Sequence, residues 1–332
     1  MTLDLDDLRL NGVLLLCVLA LIAAGLLLGE VPLSAAQLAQ GLADPGSAPG
    51  EVLWQIRAPR SVAAAVVGAA LGLAGAVMQG LLRNPLADPG VLGVSGGAGL
   101  GAAVVIAAGF GAQSGVIEGS ALIAAVLMGL ALTALAARFR EPETLILFGV
   151  AISSFSGALT SLVFNFAPSP VTLAEVFSWL LGSVANRDWG DIGRGLIPMA
   201  IGAGLCAYSA RGLVMLSLGE ESAVMSGLPM ARLRGAAVAG ASLLTGAAVA
   251  MAGIVGFVGL AAPHLVRTRA GADPARVLLP SALTGAVLLM GADLAARLIP
   301  TDIELKLGVV TALLGAPLFA MIAWRAARSW RG

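Results

Sequence analysis

The sequence predicts an all-α, polytopic integral membrane protein with about ten transmembrane helices. Hydrophobic residues make up 58 % of the 332-residue chain and charged residues only 11 %, against about 25 % charged in soluble domains. The apolar residues also fall in long blocks. Residues 12–29, 61–82, 91–109, 116–137, 145–166 and 277–299 approach or exceed the ~18–20 residues a helix needs to cross a bilayer. Further runs lie near 192–209 and 307–324. A single globular core does not hide that many, and the whole chain, 1–332, reads as one membrane domain.

Taken in order, the first run follows an acidic stretch, MTLDLDDLRL. A cleaved signal is basic there and ends in a small-residue site, so 12–29 is expected to be a retained span. An outer segment, 30–58, leads to the second span. Residues 83–90 form a turn, because Pro85 and Pro89 cannot continue a helix. In the third span Gly93, Gly97 and Gly101 recur every four residues, a small-residue row that lets helix backbones approach in lipid. Gly97 to Ala102 also fits a dinucleotide-binding G-x-G-x-x-A pattern, but that pattern needs a preceding strand and a βαβ unit. A second outer segment occupies 167–190. The block 235–266 is too long for one span and too short for two. Gly253, Gly256, Gly259 and Pro263 supply a break, which predicts a full helix and then a half-helix buried in protein.

With ten segments and the N-terminus inside, thirteen arginines fall on the cytoplasmic side: Arg9, Arg83, Arg138, Arg140, Arg211, Arg232, Arg234, Arg267, Arg269, Arg276, Arg325, Arg328 and Arg331. Six cations fall outside: Arg57, Arg60, Arg187, Arg194, Arg297 and Lys306. This is the asymmetry that places both termini in the cytoplasm. Trp54, Trp179 and Trp189 fall at the outer boundary and Trp324 and Trp330 at the inner one. Lys306, the single lysine, sits in ELKLG and not in a phosphate-binding Gly-Lys-Ser/Thr, so any ATP hydrolysis belongs to another subunit. Net charge is zero, which implies no nucleic-acid partner. Cys17 and Cys206 lie in apolar runs and read as small apolar residues. No cluster has metal-ligand spacing, and the lone His264 reads as a hydrogen-bonded structural residue.

Four stretches carry a family resemblance: RAPRSVAAAVVGAALGLAGAVMQGLLRNPLADPGVLGVSGGAGLGA, GFVGLAAPHLVR, LLPSALTGAVLLMGADLAAR and LGVVTALLGAPLF. Together they resemble the FecCD permeases, in order from about residue 50 to 324. The resemblance implies the type II importer permease fold, with ten helices per subunit, paired as a homodimer in the bacterial inner membrane. It implies import of iron–siderophore complexes, haem or vitamin B12. Two ATP-binding cassette subunits would carry ATP and Mg, and a periplasmic substrate-binding protein would deliver the cargo. No cofactor is implied in this chain, and no enzymatic activity. One departure is visible: Lys306-Leu307 replaces the family's Pro-Val ahead of the last helix.

Three candidate sites follow. The loop 211–234 contains Gly219, Glu220, Glu221, Ala223, Gly227, Leu228 and Pro229, and Glu221-x-Ala223-x-x-x-Gly227 resembles the core of permease coupling helices. Ala223 and Gly227, one turn apart, would present a flat small-residue surface to the ATPase. At the outer mouth the resemblance assigns Arg57, Arg60 and Arg297 to docking the binding protein, whose carboxylates suit an arginine fork; snorkelling anchors are the other reading. Arg297 is also one turn from Asp293, the clearest ionisable group within a span. Along the pathway the family's gate falls at Pro142, Glu143 and Thr144. Ser153, Ser156 and Thr160 share one helix face, which either lines the channel or packs against another helix. An ion-gradient-driven secondary transporter is the alternative class; it predicts intramembrane carboxylates and two related halves.

Overall fold

The computed structural model describes residues 5–113, 115–139, 142–271, 273–299 and 304–329, and among them every regular element is helical. The elements are α1 (Leu5–Leu27), α2 (Ala35–Ala43), α3 (Ala48–Glu51), α4 (Ala58–Leu82), α5 (Val94–Ala107), α6 (Val116–Arg138), α7 (Pro142–Asn165), α8 (Pro170–Leu180), α9 (Trp189–Ser217), α10 (Glu220–Met225), α11 (Met230–Ala252), α12 (Val258–Ala270), α13 (Pro274–Leu298) and α14 (Leu307–Ser329). A π-helical turn, Val52–Arg57, runs α3 into α4. By length and composition seven of these stretches can cross a membrane: α1, the rod 48–82, α6, α7, α9, α11 and α13. α5 and the described apolar part of α14 are shorter.

Helix boundaries follow local chemistry. Ser34 caps α2 in a reciprocal box with Gln37, and Asp188 caps α9 in the same way with Asp191. Asp273 precedes Pro274 at the start of α13, and Ser169 precedes Pro170 at the start of α8. In the turn after α4, Arg83 takes the left-handed conformation that ends the helix, and the side chains of Asn84 and Asp88 accept from the backbone N–H groups of Leu86 and Gly90.

The core is built on α4, α11 and α13. α4 and α13 touch backbone to backbone: a Cβ on Gly68 would lie 2.3 Å from the Gly285 carbonyl oxygen, and one on Gly285 would lie 2.1 Å from that of Gly68. Such contact needs glycine and replaces hydrophobic driving force with close van der Waals packing. α6 and α9 flank α11, and α5 leans on α6 and α7. The outward faces of α1, α6, α7 and α14 carry exposed leucine, isoleucine and phenylalanine, a surface suited to lipid and not to water.

The block 235–266 divides as expected, into α11 and the half-helix α12. The break spans Gly253 to Phe257, with Gly253 at φ +70° and Phe257 at φ +67°. Gly259 and Pro263 lie inside α12, so they do not make the break. Pro263 lies inside α12, where it leaves the Gly259 carbonyl without its intrahelical donor. The glycine row of the third span is also corrected. Gly93 stands outside α5 at φ +85° as its N-cap, against Ile152 of α7. Only Gly97 and Gly101 face α6, against Met128 and Ser120.

Candidate functional site

Two ends of the bundle carry the candidate residues. At one end α9 stops at Ser217 and the chain turns through Gly219 into the six-residue α10. The turn after α10 is a Schellman closure: Gly227 at φ +80° donates to the Val224 carbonyl at 2.9 Å, and Leu228 N–H donates to the Ala223 carbonyl at 3.1 Å. Pro229 then caps α11, and Arg234 donates to Glu220 at 2.7 Å across the loop. Glu221 is exposed. The expected flat surface of Ala223 and Gly227 is not what forms. Ala223 is 1 % exposed, because so short a helix must bury a small residue against α9 to stay in place. Gly227 serves the left-handed turn. Leu218, Val224 and Met225 point outward instead, Met225 at 89 % exposure.

The other end holds α2, α3 and α8. Here Arg57, Arg60 and Arg297 are 5, 9 and 7 % exposed. Arg57 donates to the carbonyls of Leu26 and Leu27 at 2.8 and 3.0 Å and to that of Val31 at 2.5 Å, satisfying the open C-terminal end of α1. Asp293, 2 % exposed, accepts Arg60 Nε at 3.0 Å on one oxygen and Arg297 Nε at 2.8 Å on the other. Arg297 also donates to the Gly25 carbonyl at 3.1 Å, and Arg60 reaches Glu30 at 3.4 Å. The Asp293–Arg297 pair was legible from spacing; the sharing of that carboxylate with Arg60, 233 residues away, was not. The docking expectation therefore meets an obstacle: these guanidinium groups brace α1, α4 and α13 internally. The more exposed arginine of this end is Arg194, which pairs with Asp191 at 2.6 Å.

At this same end, the departure from the family pattern finds its setting. Lys306 Nζ donates to Glu304 Oε2 at 2.8 Å, and Ser183 Oγ donates to the other Glu304 oxygen. Leu307 and Gly308 N–H groups donate to the carbonyls of Gly182 and Leu181 at 2.9 and 3.0 Å, and Ser183 N–H donates to the Ala252 carbonyl at 2.8 Å. One joint thus ties the end of α8, the start of α14 and the α11–α12 break. Burial pushes the Glu304 carboxyl upward, but the hydrogen bonds from Lys306 and Ser183 and the charges of Lys306 and Arg60 outweigh it and hold it below the usual range. The joint borders a polar cavity of about 460 Å³ that also contains Glu118, Glu175 and Arg187. Glu118 accepts Arg187 at 2.5 Å.

On α7, Ser156 is buried and faces Gly96 of α5, and Thr160 Oγ1 donates back to the Ser156 carbonyl at 2.8 Å. Ser153, half-buried, also lies beside Gly96, so this part of the face packs on α5. Ser154, Ser161 and Asn165 lie on the open side of α7. Glu143 is exposed and Thr144 half-buried; the backbone of Pro142 opens α7, while Arg140 and Glu141 lie outside the described residues. His264, half-buried on α12, has no hydrogen-bond partner among the described residues, contrary to expectation. Among the described residues no three metal-ligating side chains stand together.

The chain is a multi-pass helical bundle in which the sixth long helix, α11, breaks into the half-helix α12, with the short α10 at one end. Comparison places it more closely. The FecCD transport family matches residues 15–325, and the chain belongs to that family. It is 43 % identical over 287 residues to the vitamin B12 import system permease protein of Salmonella paratyphi A, covering 85 % of this chain and 86 % of the relative, and to that of Salmonella typhimurium over the same span. A solved metal-chelate type ABC transporter in an inward-facing conformation superposes with a TM-score of 0.86 at 30 % identity, covering 96 % of this chain and 99 % of that one. The chain is accordingly a permease subunit of an ATP-binding cassette importer.

Proposed function

We propose that this subunit moves cobalamin or a related corrinoid across the bacterial inner membrane, with ferric siderophores and haem as the second cargo class. The observation that carries the first choice is the 43 % identity, over 85 % of the chain, to vitamin B12 import permeases. The metal-chelate type transporter favours the wider class. The whole chain acts as one membrane domain of ten segments: the seven long helices, α5, α14 and the half-helix α12. Its N- and C-termini face the cytoplasm, as the arginine asymmetry supports. Two copies form the pathway, whose walls include the open side of α7, with Glu143 and Thr144 near its cytoplasmic mouth.

The subunit itself is not an enzyme; ATP and Mg bind two partner ATPase subunits. These push on α10, where Leu218, Val224 and Met225 seat in the partner and Glu220 and Glu221 offer charge. The Gly219–Pro229 turns transmit the movement to α9 and α11 as rigid elements. A periplasmic binding protein delivers cargo to the α8 end. Because Arg57, Arg60 and Arg297 are engaged internally, they shape that surface by holding α1, α4 and α13 in register. Labelled cobalamin uptake into proteoliposomes tests the proposal. Uptake is expected only with the ATPase subunit, ATP and cargo-loaded binding protein. Uptake driven by an ion gradient alone would sink it in favour of secondary transport, and uptake of ferric chelates with none of cobalamin would select the second cargo class.

A further inference from the structure

Between α6 and α9, floored by α11, lies an apolar crevice of about 140 Å³. Leu122, Pro198, Ala250 and Met251 line it; Gly119 opens it, while the Met251 methyl packs against Gly195. A Cβ on Gly119 would meet nothing within 4 Å, so the space there is real and not already filled by a neighbour. The rims are apolar too: Ile123 on α6 and Ile197 on α9 are exposed. Toward the α8 end the apolar lining gives way to Glu118, Asp191 and Arg194.

The charges there are unequally satisfied. Glu118 has Arg187 at 2.5 Å, and Asp191 has Arg194 at 2.6 Å and Arg187 at 3.8 Å. Asp191 also accepts the Asp188 N–H of its own cap. Arg194 gives one nitrogen to Asp191, while its side chain is 57 % exposed. A guanidinium carries five N–H donors in a fork that suits phosphate, so Arg194 keeps donors directed out of the protein at the head of an apolar slot.

We propose that this crevice holds an acyl chain of a membrane phospholipid whose phosphate is received by Arg194. The inference rests on α6 and α9 crossing a bilayer. Water has too few polar partners along the lining to occupy it. A helix of a second copy, about 10 Å across, is too broad for so small a volume. A hydrocarbon chain matches the lining, and a headgroup phosphate matches the outward donors of Arg194.

The test uses the full chain, reconstituted in mixed phosphatidylethanolamine and phosphatidylglycerol vesicles, re-extracted in mild detergent and weighed by native mass spectrometry. Wild type is expected to retain phospholipid. Gly119→Leu fills the slot and removes contact with two or three methylene groups, which lowers retention about fifteen- to sixtyfold. Gly119→Ala fills less and is expected to fall between, which keeps the test open if leucine disturbs folding. Arg194→Gln should retain less lipid. The control Leu130→Ala, on the exposed face of α6 away from the crevice, should match wild type. Undiminished retention in folded Gly119→Leu overturns the proposal, as does absence of retained lipid in wild type. Loss of a dimer in place of loss of lipid would assign the crevice to a second copy. Uptake is not the readout, so failure here leaves the transport reading as it stands.

Discussion

The two ends of the bundle use their charged and apolar residues in opposite ways. At the α8 end, three arginines that read from the sequence as contact groups are buried and bound to Asp293, Glu30 and the carbonyls that end α1. At the α10 end, Ala223, which read as part of a contact surface, turns inward, Gly227 makes the turn, and the large apolar Leu218, Val224 and Met225 stand out. The difference shows that a motif does not reveal which way its side chains face. Burial decides it: a guanidinium can be drawn inside when helix-end carbonyls and a carboxylate await it. A helix of six residues is held by the little it buries, by the Arg234–Glu220 pair and by the turn that closes it.

The contrast can be broken most severely at Asp293. Asp293→Ala would leave Arg60 and Arg297 buried without their carboxylate and is expected to cost about 3–5 kcal/mol. Thermal unfolding of the detergent-purified chain would reveal it as a large fall in Tm or failure to accumulate. A variant of wild-type stability that merely lost binding-protein capture would return these arginines to docking.

At the α10 end the expected effect is on association and not on folding. Met225→Asp removes an exposed apolar side chain whose burial in a partner contributes about 1.5–3 kcal/mol, a loss of roughly tenfold or more in ATPase recovery on pull-down. Gly227→Ala places a Cβ at φ +80°, at a cost of about 1–2 kcal/mol, and should weaken recovery by loosening the turn, with Gly227→Asn milder. Normal recovery with both Met225→Asp and Gly227→Ala would remove α10 from the coupling surface.

A smaller effect is expected at the joint of Glu304. Its carboxyl is held below the usual range, so its stabilising contribution is present above the ordinary glutamate range and is lost as pH falls through the depressed value. Glu304→Gln should flatten the acid limb of the Tm–pH curve and cost about 1 kcal/mol or less at neutral pH. An unchanged acid limb would mean that the Lys306–Glu304–Ser183 chain contributes nothing to holding α8 on α14. The smallest effect belongs to Ser156, midway between the ends. Its hydroxyl is buried without a partner, so Ser156→Ala should leave stability within about 0.5 kcal/mol and uptake unchanged; a clear loss of uptake would restore it to the pathway.

Membrane class, the positions of the long spans, the divided 235–266 block and the family were all legible from the chain. Each rests on local quantities: run length, proline and glycine breaks, and ordered motifs. Even the Asp293–Arg297 pair was local, one turn of one helix. What the sequence alone left open was direction and partnership. The capture of Arg60 by Asp293, the inward turn of Ala223, the packing of Ser156 on Gly96 and the tie between Glu304 and Ser183 each join residues distant along the chain or depend on which face of a helix meets a neighbour. Hydropathy in a membrane protein says that a helix is inside the bilayer, but lipid and protein interior are equally apolar, so it cannot say which side faces which. Only the packing of α4 on α13, backbone against backbone, and of α11 on α4 settled that.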